Sequence, residues 1–238
     1  MDAKTPSTSA LVDDTAAVIR GLIMSGEIPI GAQLRQAELA TLLGVSRTPI
    51  REALRQLQTG GLIEVVPNRG AVVRVPAPWE VREAYEVRAE LEGLACERAV
   101  RLITAETIDD LRATNEILRR KPGPEVAKEE AARAMASPSS YNPNDHFHTV
   151  IHHVAENERL ARVIKEINEA FPRNVSALVL RDNPRHRDEN YAEHERIIAA
   201  FVAGDGKLAR QEMQAHVINA GDQLARWYER RSATVFKG

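Results

Sequence analysis

Apolar residues recur at helical spacing through the first sixty residues and predict three short helices. The first helix ends at Gly26. The second spans 36–43 and stops at Gly44, because glycine suits the left-handed position that follows a helix. The third spans 47–59, and Ser46 is placed to cap its first turn. Two short helices joined by so tight a turn are typical of a helix-turn-helix.

The pattern then changes to short runs rich in valine and isoleucine. Runs at 62–66 and 71–75 flank the Pro-Asn-Arg-Gly segment 67–70, which predicts a β-hairpin with a four-residue loop. A helix-turn-helix followed by a hairpin is the outline of a winged helix-turn-helix. Residues 76–78, Pro-Ala-Pro, form a stiff linker and mark the predicted domain boundary.

After this linker the sequence predicts helices and no strand. The predicted helices span 78–102, 104–119, 124–136, 143–156, 157–180, 187–203 and 205–230. Pro172 is expected to kink the helix that contains it. The predicted fold class is mainly α, with a winged helix-turn-helix, its small β-hairpin wing and a C-terminal all-helical bundle. The predicted domains are a disordered arm over 1–9, the winged helix-turn-helix domain over 10–76 and the all-helical domain over 77–238.

The composition, with 43% hydrophobic and 28% charged residues over 238 positions, is that of an ordinary soluble protein. The 32 basic and 34 acidic residues give a net charge of −2, which excludes a protein coated with positive charge. The single cysteine, Cys96, excludes an internal disulfide. The sequence shows neither a membrane-spanning apolar run nor an export signal, so we expect a cytoplasmic, nucleoid-associated protein without a membrane partner.

Local charge changes the conclusion about nucleic acid. Residues 46–74 contain five arginines and only two glutamates. Arg47 and Arg51 share one stripe of the third helix, and Ser46 and Thr48 lie at its exposed N-terminal end. Hydroxyl and guanidinium groups at a helix N-terminus suit phosphates and the guanine edge, so this helix is a candidate for DNA recognition. The alternative is a solvated helix face without a partner.

Two more arginines lie near this helix. Arg69 stands at the predicted hairpin tip, from which it could reach an adjacent minor groove. Arg35 precedes the second helix and could contact the DNA backbone.

Three histidines occupy unusual positions in the C-terminal half. His148, His194 and His216 each fall on the apolar stripe of a different predicted helix. A buried imidazole needs a partner, and three that converge suit Zn²⁺ or Ni²⁺. The alternative is three hydrogen-bonded core histidines without metal.

The string LGVSRTPIREAL at 43–54 and the NRG at 68–70 closely resemble the GntR family of bacterial transcription regulators. The resemblance implies operator contacts from four residues of the recognition helix, Ser46, Arg47, Thr48 and Arg51. Gly70 matches the wing-tip glycine of that family, and Arg35 matches a position that often carries a contact residue.

The C-terminal half resembles the FCD branch of this family through VRAELE at 87–92, Phe147-His148, Glu193-His194 and His216. The resemblance implies that 77–238 is a ligand-binding and dimerisation domain, a helical effector bundle in which an aspartate and three histidines hold a divalent metal.

The three histidines carry over as His148, His194 and His216, but Asn144 stands where the family has its aspartate. Its neutral amide is a weaker ligand than a carboxylate. Arg88 matches a family arginine that pairs with an effector carboxylate, and the alternative for it is an ion pair with Glu92 one turn on.

The leading hypothesis is a DNA-binding regulator, in particular a repressor, that binds a pseudo-palindromic operator as a homodimer. A small carboxylate effector, bound in the metal-containing bundle, would change its operator affinity. The alternative is a three-histidine metal-dependent enzyme with a DNA-binding-like appendage. The sequence contains no HExxH, GxSxG or P-loop motif to support an enzyme.

Overall fold

A computed structural model describes residues 8–120, 142–171, 179–180 and 183–235. These residues form two compact units. The first unit contains the described residues up to Pro76 together with residues 168–171, and the second contains the rest.

The first unit contains three helices and a two-stranded antiparallel hairpin. They are α1 (Thr8–Ser25), α2 (Gln36–Leu43), α3 (Arg47–Thr59), β1 (Ile63–Val66) and β2 (Gly70–Val73). Ile19 and Ile23 of α1 and Ile50 and Leu57 of α3 are fully buried in one core, which Val73 of β2 also enters. Because apolar residues one or two turns apart share a helix face, α1 and α3 pack along these residues.

Helix α1 begins at Thr8, whereas the sequence predicts a disordered arm over 1–9. The predicted arm is therefore two residues too long. Residues 1–7 lie outside the described residues.

The hairpin loop is one residue shorter than predicted, because Gly70 pairs with Val66 and belongs to β2. The Arg69 N–H donates to the Val66 carbonyl at 3.1 Å and closes the turn. Asn68 and Gly70 have φ values of 64° and 73°. Asparagine and glycine adopt this left-handed backbone most readily, so the chain reverses and resumes pairing at once.

The regular secondary structure in the described residues of the second unit is entirely helical. Its helices are α4 (Pro78–Ala99), α5 (Ala105–Arg119), α6 (Pro143–Val154), α7 (Glu158–Glu169), α8 (Pro184–Ala203) and α9 (Gly206–Val235). Helix α4 packs on α9 and α6, helix α5 packs on α6 and α8, and α8 packs on α9. These five helices thus form a closed ring. The mainly α fold with a hairpin wing and a helical bundle is confirmed.

Helix α8 begins three residues earlier than predicted. The Asn183 side chain accepts a hydrogen bond from the Arg185 N–H at 3.1 Å, and Pro184 occupies the first turn, where its missing N–H costs nothing. The predicted helix over 124–136 and the predicted kink at Pro172 lie outside the described residues.

The contact between α4 and α9 supports a stability prediction at Gly221. A Cβ atom there would lie 2.6 Å from the Tyr85 Cβ, so Gly221→Ala is expected to lower the unfolding free energy by about 1–3 kcal/mol. Gly21 of α1 is a matched control, since a Cβ there meets no atom within 4 Å. Gly21→Ala is expected to raise stability by about 0.5–1 kcal/mol through helix propensity. Urea unfolding compares the two variants, and a change of the same sign in both would contradict the packing argument.

Candidate nucleic-acid interface and metal centre

Helix α3 has a basic face opposite its apolar face. Ile50 and Leu57 are buried, whereas Arg47 and Arg51 are exposed. The Arg51 side chain is 60% exposed, so its guanidinium is accessible to a partner. A helix buried along one stripe and basic along another has the form needed to enter a major groove.

The N-terminus of α3 carries two exposed hydroxyl groups, those of Ser46 and Thr48. Ser46 occupies the N-cap position with extended backbone, but its side chain makes no capping hydrogen bond. The hydroxyl that the sequence assigns to capping is therefore free for another acceptor or donor. The unpaired N–H groups and the helix dipole favour an anion at this end.

Glu52 partly neutralises the basic face. Its carboxylate lies 3.2 Å from Arg51 Nε and 3.8 Å from Arg55 Nη1. Exposed ion pairs contribute about 0–1 kcal/mol, so these arginines can exchange Glu52 for a phosphate or a base at little cost.

The two arginines predicted to contact DNA from outside α3 interact with other residues of the protein. Arg69 Nη2 donates to the Gly31 carbonyl at 3.3 Å, and Gln33 Nε2 donates to the Arg69 carbonyl. Arg35 Nη1 lies 3.0 Å from a Glu38 carboxylate oxygen. Both arginines are exposed, and each keeps guanidinium N–H groups that can donate to a phosphate or a base.

The structure brings His148 of α6, His194 of α8 and His216 of α9 together. Their exposed fractions are 3%, 0% and 2%. One ring nitrogen of each lies within 4.8 Å of the others, and the Nε2 atoms of His148 and His216 are 3.3 Å apart. Phe147 stacks on the His194 ring at 3.8 Å between centroids and fixes its plane. We call these three residues the histidine cluster.

Each ring of the histidine cluster donates its Nδ1 hydrogen to an oxygen on a neighbouring helix. The pairs are His148 to Glu92 at 3.2 Å, His194 to Asn115 at 3.2 Å and His216 to Glu193 at 2.8 Å. Because these oxygens only accept, the hydrogen lies on Nδ1 and each Nε2 offers a lone pair. All five helices of the ring supply either a histidine or its acceptor.

The Nε2 atoms have the chemistry of a nitrogen-donor metal site. Lone pairs that face each other at 3.3 Å repel unless a cation lies between them. Two nitrogens bound tetrahedrally to zinc at about 2.0–2.1 Å lie about 3.3–3.4 Å apart, so the observed spacing fits this metal. His194 Nε2 is also buried and has no hydrogen-bond partner in the described chain.

The electrostatics keep His148 and His194 neutral and Glu92 charged. Burial lowers the pKa of His148 to about 4 and that of His194 well below its usual value. Burial alone would raise the pKa of Glu92, but His148, His152 and Arg88 hold it well below its usual value. The result is neutral donors oriented by a charged acceptor, the state in which imidazoles bind metal.

His148 alone is expected to cost the metal-free protein about 2 kcal/mol of unfolding free energy between pH 7 and pH 5, and the lowered pKa of His194 acts in the same direction. The pKa of His148 is about 4 in the folded chain against 6.5 normally. Between these values the unfolded chain binds more protons, so stability falls as the pH falls. Urea unfolding at both pH values measures the loss, which should shrink in His148→Gln. A pH-independent wild-type stability would contradict the neutral buried imidazole.

Asn144 lies one turn before His148, and its side-chain Oδ1 is buried without a hydrogen-bond partner in the described chain. Arg88 is buried, and its Nε and Nη2 each lie 3.0 Å from Glu92 Oε1. The intrahelical ion pair that the sequence leaves open for Arg88 is therefore present. This ion pair does not use Arg88 Nη1, so that nitrogen can donate to a further acceptor.

The sequence alone did not predict the three residues that accept hydrogen bonds from the histidine cluster, namely Glu92, Asn115 and Glu193. Glu92 is fully buried and also accepts from His152 Nε2 at 2.7 Å. A carboxylate on the apolar face of α4 was the available signal, since a buried charge requires partners.

Residues 11–73 match the bacterial regulatory proteins of the gntR family, and residues 83–219 match the FCD domain. The chain belongs to the GntR family. Members of this family bind operator DNA and are generally dimeric, and some FCD domains bind metal.

Known relatives of this GntR protein are regulators. It is 32% identical over 195 residues to a probable D-xylose utilization operon transcriptional repressor of Paenarthrobacter nicotinovorans, covering 82% of this chain and 80% of that one. It is 27% identical to the Uxu operon transcriptional regulator of Escherichia coli (strain K12), covering 89% and 85%. McbR/YncC of E. coli shares the fold, with a TM-score of 0.68, 23% identity and coverage of 92% and 98%.

The relatives and fold neighbours are transcriptional regulators rather than enzymes. The prediction of a regulator is confirmed, and the three-histidine enzyme finds no support. Among the helices within the described ranges, none is both long and apolar enough to cross a membrane.

Proposed function

We propose that this GntR regulator represses an operon by binding a pseudo-palindromic operator as a homodimer. A small organic acid, bound at a divalent metal in the FCD bundle, changes its affinity for that operator. The convergence of three buried Nε2 lone pairs in the histidine cluster is the observation that carries this proposal. The exposed basic face of α3 supports the DNA-binding part.

His148, His194 and His216 would hold the metal, with Asn144 as a fourth ligand through its unpaired Oδ1. Zinc fits three imidazoles and one oxygen, and Ni²⁺ suits the same donors. When bound, the metal supplies a Lewis-acidic point for a carboxylate. Because Asn144 replaces a carboxylate ligand, this centre keeps one more positive charge and attracts an acid more strongly.

Arg88 would bind the carboxylate of the effector beside this centre. Its Nε and Nη2 are used by Glu92, which leaves Nη1 to donate to a second acceptor. The ion pair thus orients the guanidinium without exhausting its donors.

Two copies of α3 related by a two-fold axis would enter successive major grooves, with Ser46, Arg47, Thr48 and Arg51 facing the bases and phosphates. Arg35, Arg69 and Gly70 would approach the flanking backbone or minor groove. The relative named as a repressor of a D-xylose utilization operon supports an operon for the use of a carbon source as the target. The effector changes operator affinity only if it binds one arrangement of the two domains more tightly than another, since equal binding to both arrangements would not shift the equilibrium between them.

The test is selection of operator DNA from a random pool by the zinc-loaded protein. We expect enriched fragments that contain two inverted half-sites about one helical turn apart. Fluorescence anisotropy then measures operator affinity with acetate, lactate, succinate or citrate, before and after chelation. An acid should change the affinity only in the zinc-loaded protein. No enrichment, or equal acid effects in both forms, would overturn the proposal.

A further inference from the structure

The relative directions of the helices around the histidine cluster follow from the hydrogen bonds between them. Glu92 of α4 accepts from His148 of α6, and Arg98 Nε, farther along α4, donates to the Ala155 carbonyl at the end of α6. Contacts that advance together along both helices show that α4 and α6 run parallel.

Helix α9 runs against α8. Arg196 Nε of α8 donates to Glu212 of α9 at 2.8 Å, whereas the earlier Glu193 accepts from the later Asn219 at 2.6 Å. Partners that advance in opposite directions show that these two helices are antiparallel.

Helix α9 also runs against α4. Arg210 Nη1 donates to Glu97 at 2.9 Å, and Arg82 Nη2 donates to Glu229 at 2.8 Å. Helices α4, α6 and α8 are therefore parallel to one another and antiparallel to α9. The N-terminal parts of these three helices and the C-terminal part of α9 lie on one side of the histidine cluster, which we call its open side.

Buried polar atoms without a partner are confined to the histidine cluster and its open side. In the part of the chain that the structure describes they are Asn144 Oδ1, His186 Nδ1, Arg187 Nε, Asn190 Nδ2, His194 Nε2 and Tyr228 Oη. An unsatisfied buried polar group is costly, and native proteins contain few of them. Their grouping on one side of one site indicates that a polar ligand completes them.

Arg187 is the decisive member of this group. It is 8% exposed, and none of the described residues forms an ion pair with it. The other buried charged residues of the described chain, Arg88 and Glu92, pair with each other. A buried cation without a counter-ion is strongly disfavoured, so an anionic ligand group at Arg187 would supply the missing partner.

Residues 187, 190 and 194 share one face of α8, since seven residues turn the helix to within about 20° of its starting direction. Asn190 is 7% exposed and lies between Arg187 and His194. Arg187 and His194 are separated by about 10 Å along the helix axis, so the two positions suit the two ends of one ligand rather than a single group.

We propose that Arg187 and Asn190 form a second anion-binding subsite that selects effectors with two anionic groups, such as dicarboxylates. One carboxylate of the effector lies at the histidine cluster, and the other pairs with Arg187 and accepts from Asn190 Nδ2. This inference rests on the proposed function, because it takes the histidine cluster as the first subsite. It narrows the effector from any small acid to a diacid.

Calorimetry of zinc-loaded protein with succinate and with butyrate tests the subsite, because the two acids have equal carbon number and differ in the second carboxylate. We expect wild type to bind succinate at least about tenfold more tightly than butyrate, from one added charge-assisted contact. Arg187→Gln should weaken succinate binding by about tenfold to a hundredfold and leave butyrate binding within about twofold. Arg185→Gln is the control, since the Arg185 side chain on the same helix is 85% exposed and pairs with Glu189.

Thermal unfolding separates this role from a structural one. Ligand-free Arg187→Gln should melt at the wild-type temperature or above it, because it loses an unpaired buried charge. Equal weakening of both acids, no weakening of either, or a wild type without preference for succinate would overturn the subsite. Zinc titration is measured separately. If the protein binds zinc but does not prefer the diacid, the subsite alone is overturned. If the protein prefers the diacid but does not bind zinc, the metal part of the proposed function is overturned and the subsite is supported.

Discussion

Replacing Arg47 or Arg51 with alanine is expected to remove measurable binding to the operator that the wild-type protein selects. A well-placed arginine contributes about 1–3 kcal/mol of base discrimination, and a dimer loses it twice. The expected loss is therefore about two to four orders of magnitude. Both side chains are exposed, so neither substitution opens a cavity, and the dimer should stay intact.

Fluorescence anisotropy with the selected operator measures this loss, and sedimentation checks the dimer. Arg112→Ala on α5 is a matched control, since this arginine is also exposed, at 52%, and its ion pair with Asp109 resembles that of Arg51 with Glu52. The control should bind within about twofold of wild type, because surface pairs contribute little. Unchanged operator binding in both α3 variants would contradict the assignment of this face to DNA.

The first unit could be predicted from sequence because its signals are local. In α3, apolar and basic residues alternate with helical period over thirteen positions, which indicates both the buried and the exposed face. The hairpin was predicted for the same reason, and its one-residue error has a local cause. Gly70 suits both a loop and a left-handed strand position, and only the pairing with Val66 decides between them.

The histidine cluster could be predicted only in part. Periodicity places His148, His194 and His216 on buried faces, but it does not say which faces meet. The acceptors that orient the rings are Glu92, Asn115 and Glu193, and they lie 56, 79 and 23 residues from their histidines. Such long-range pairs depend on the packing of the whole bundle and leave no periodic signal in the chain.

Arg88 shows the same limit. From sequence, an ion pair with Glu92 and a role in effector binding were equally open. The structure contains the ion pair, and the orientation of that pair leaves one guanidinium nitrogen for a ligand. Both interpretations are compatible in three dimensions, although the sequence presents them as alternatives.

Zinc is expected to bind the wild-type protein in a ratio of one ion per chain, and His194→Ala is expected to abolish tight binding. A zinc site contributes about 10–16 kcal/mol through four ligands, so one ligand is worth about 3 kcal/mol or roughly two orders of magnitude in affinity. His153→Ala is the matched control, since His153 is exposed on the same helix as His148. Titration calorimetry measures the affinities, and an unaltered affinity in His194→Ala would contradict the site.

Variants of the orienting residues and of Asn144 sharpen this prediction. Asn115→Ala removes the acceptor of His194 Nδ1 without touching a proposed ligand, so zinc affinity should fall by about 10–100-fold. Asn144→Asp should raise zinc affinity, because a carboxylate is a stronger ligand than an amide, while Asn144→Ala should lower it. The same Asn144→Asp change removes a unit of positive charge from the centre and should weaken acid binding. Opposite effects of Asn144→Asp on metal and acid place this side chain beside the metal, and a loss of zinc affinity in Asn144→Ala assigns it as a ligand, since a residue remote from the metal would leave both affinities unchanged.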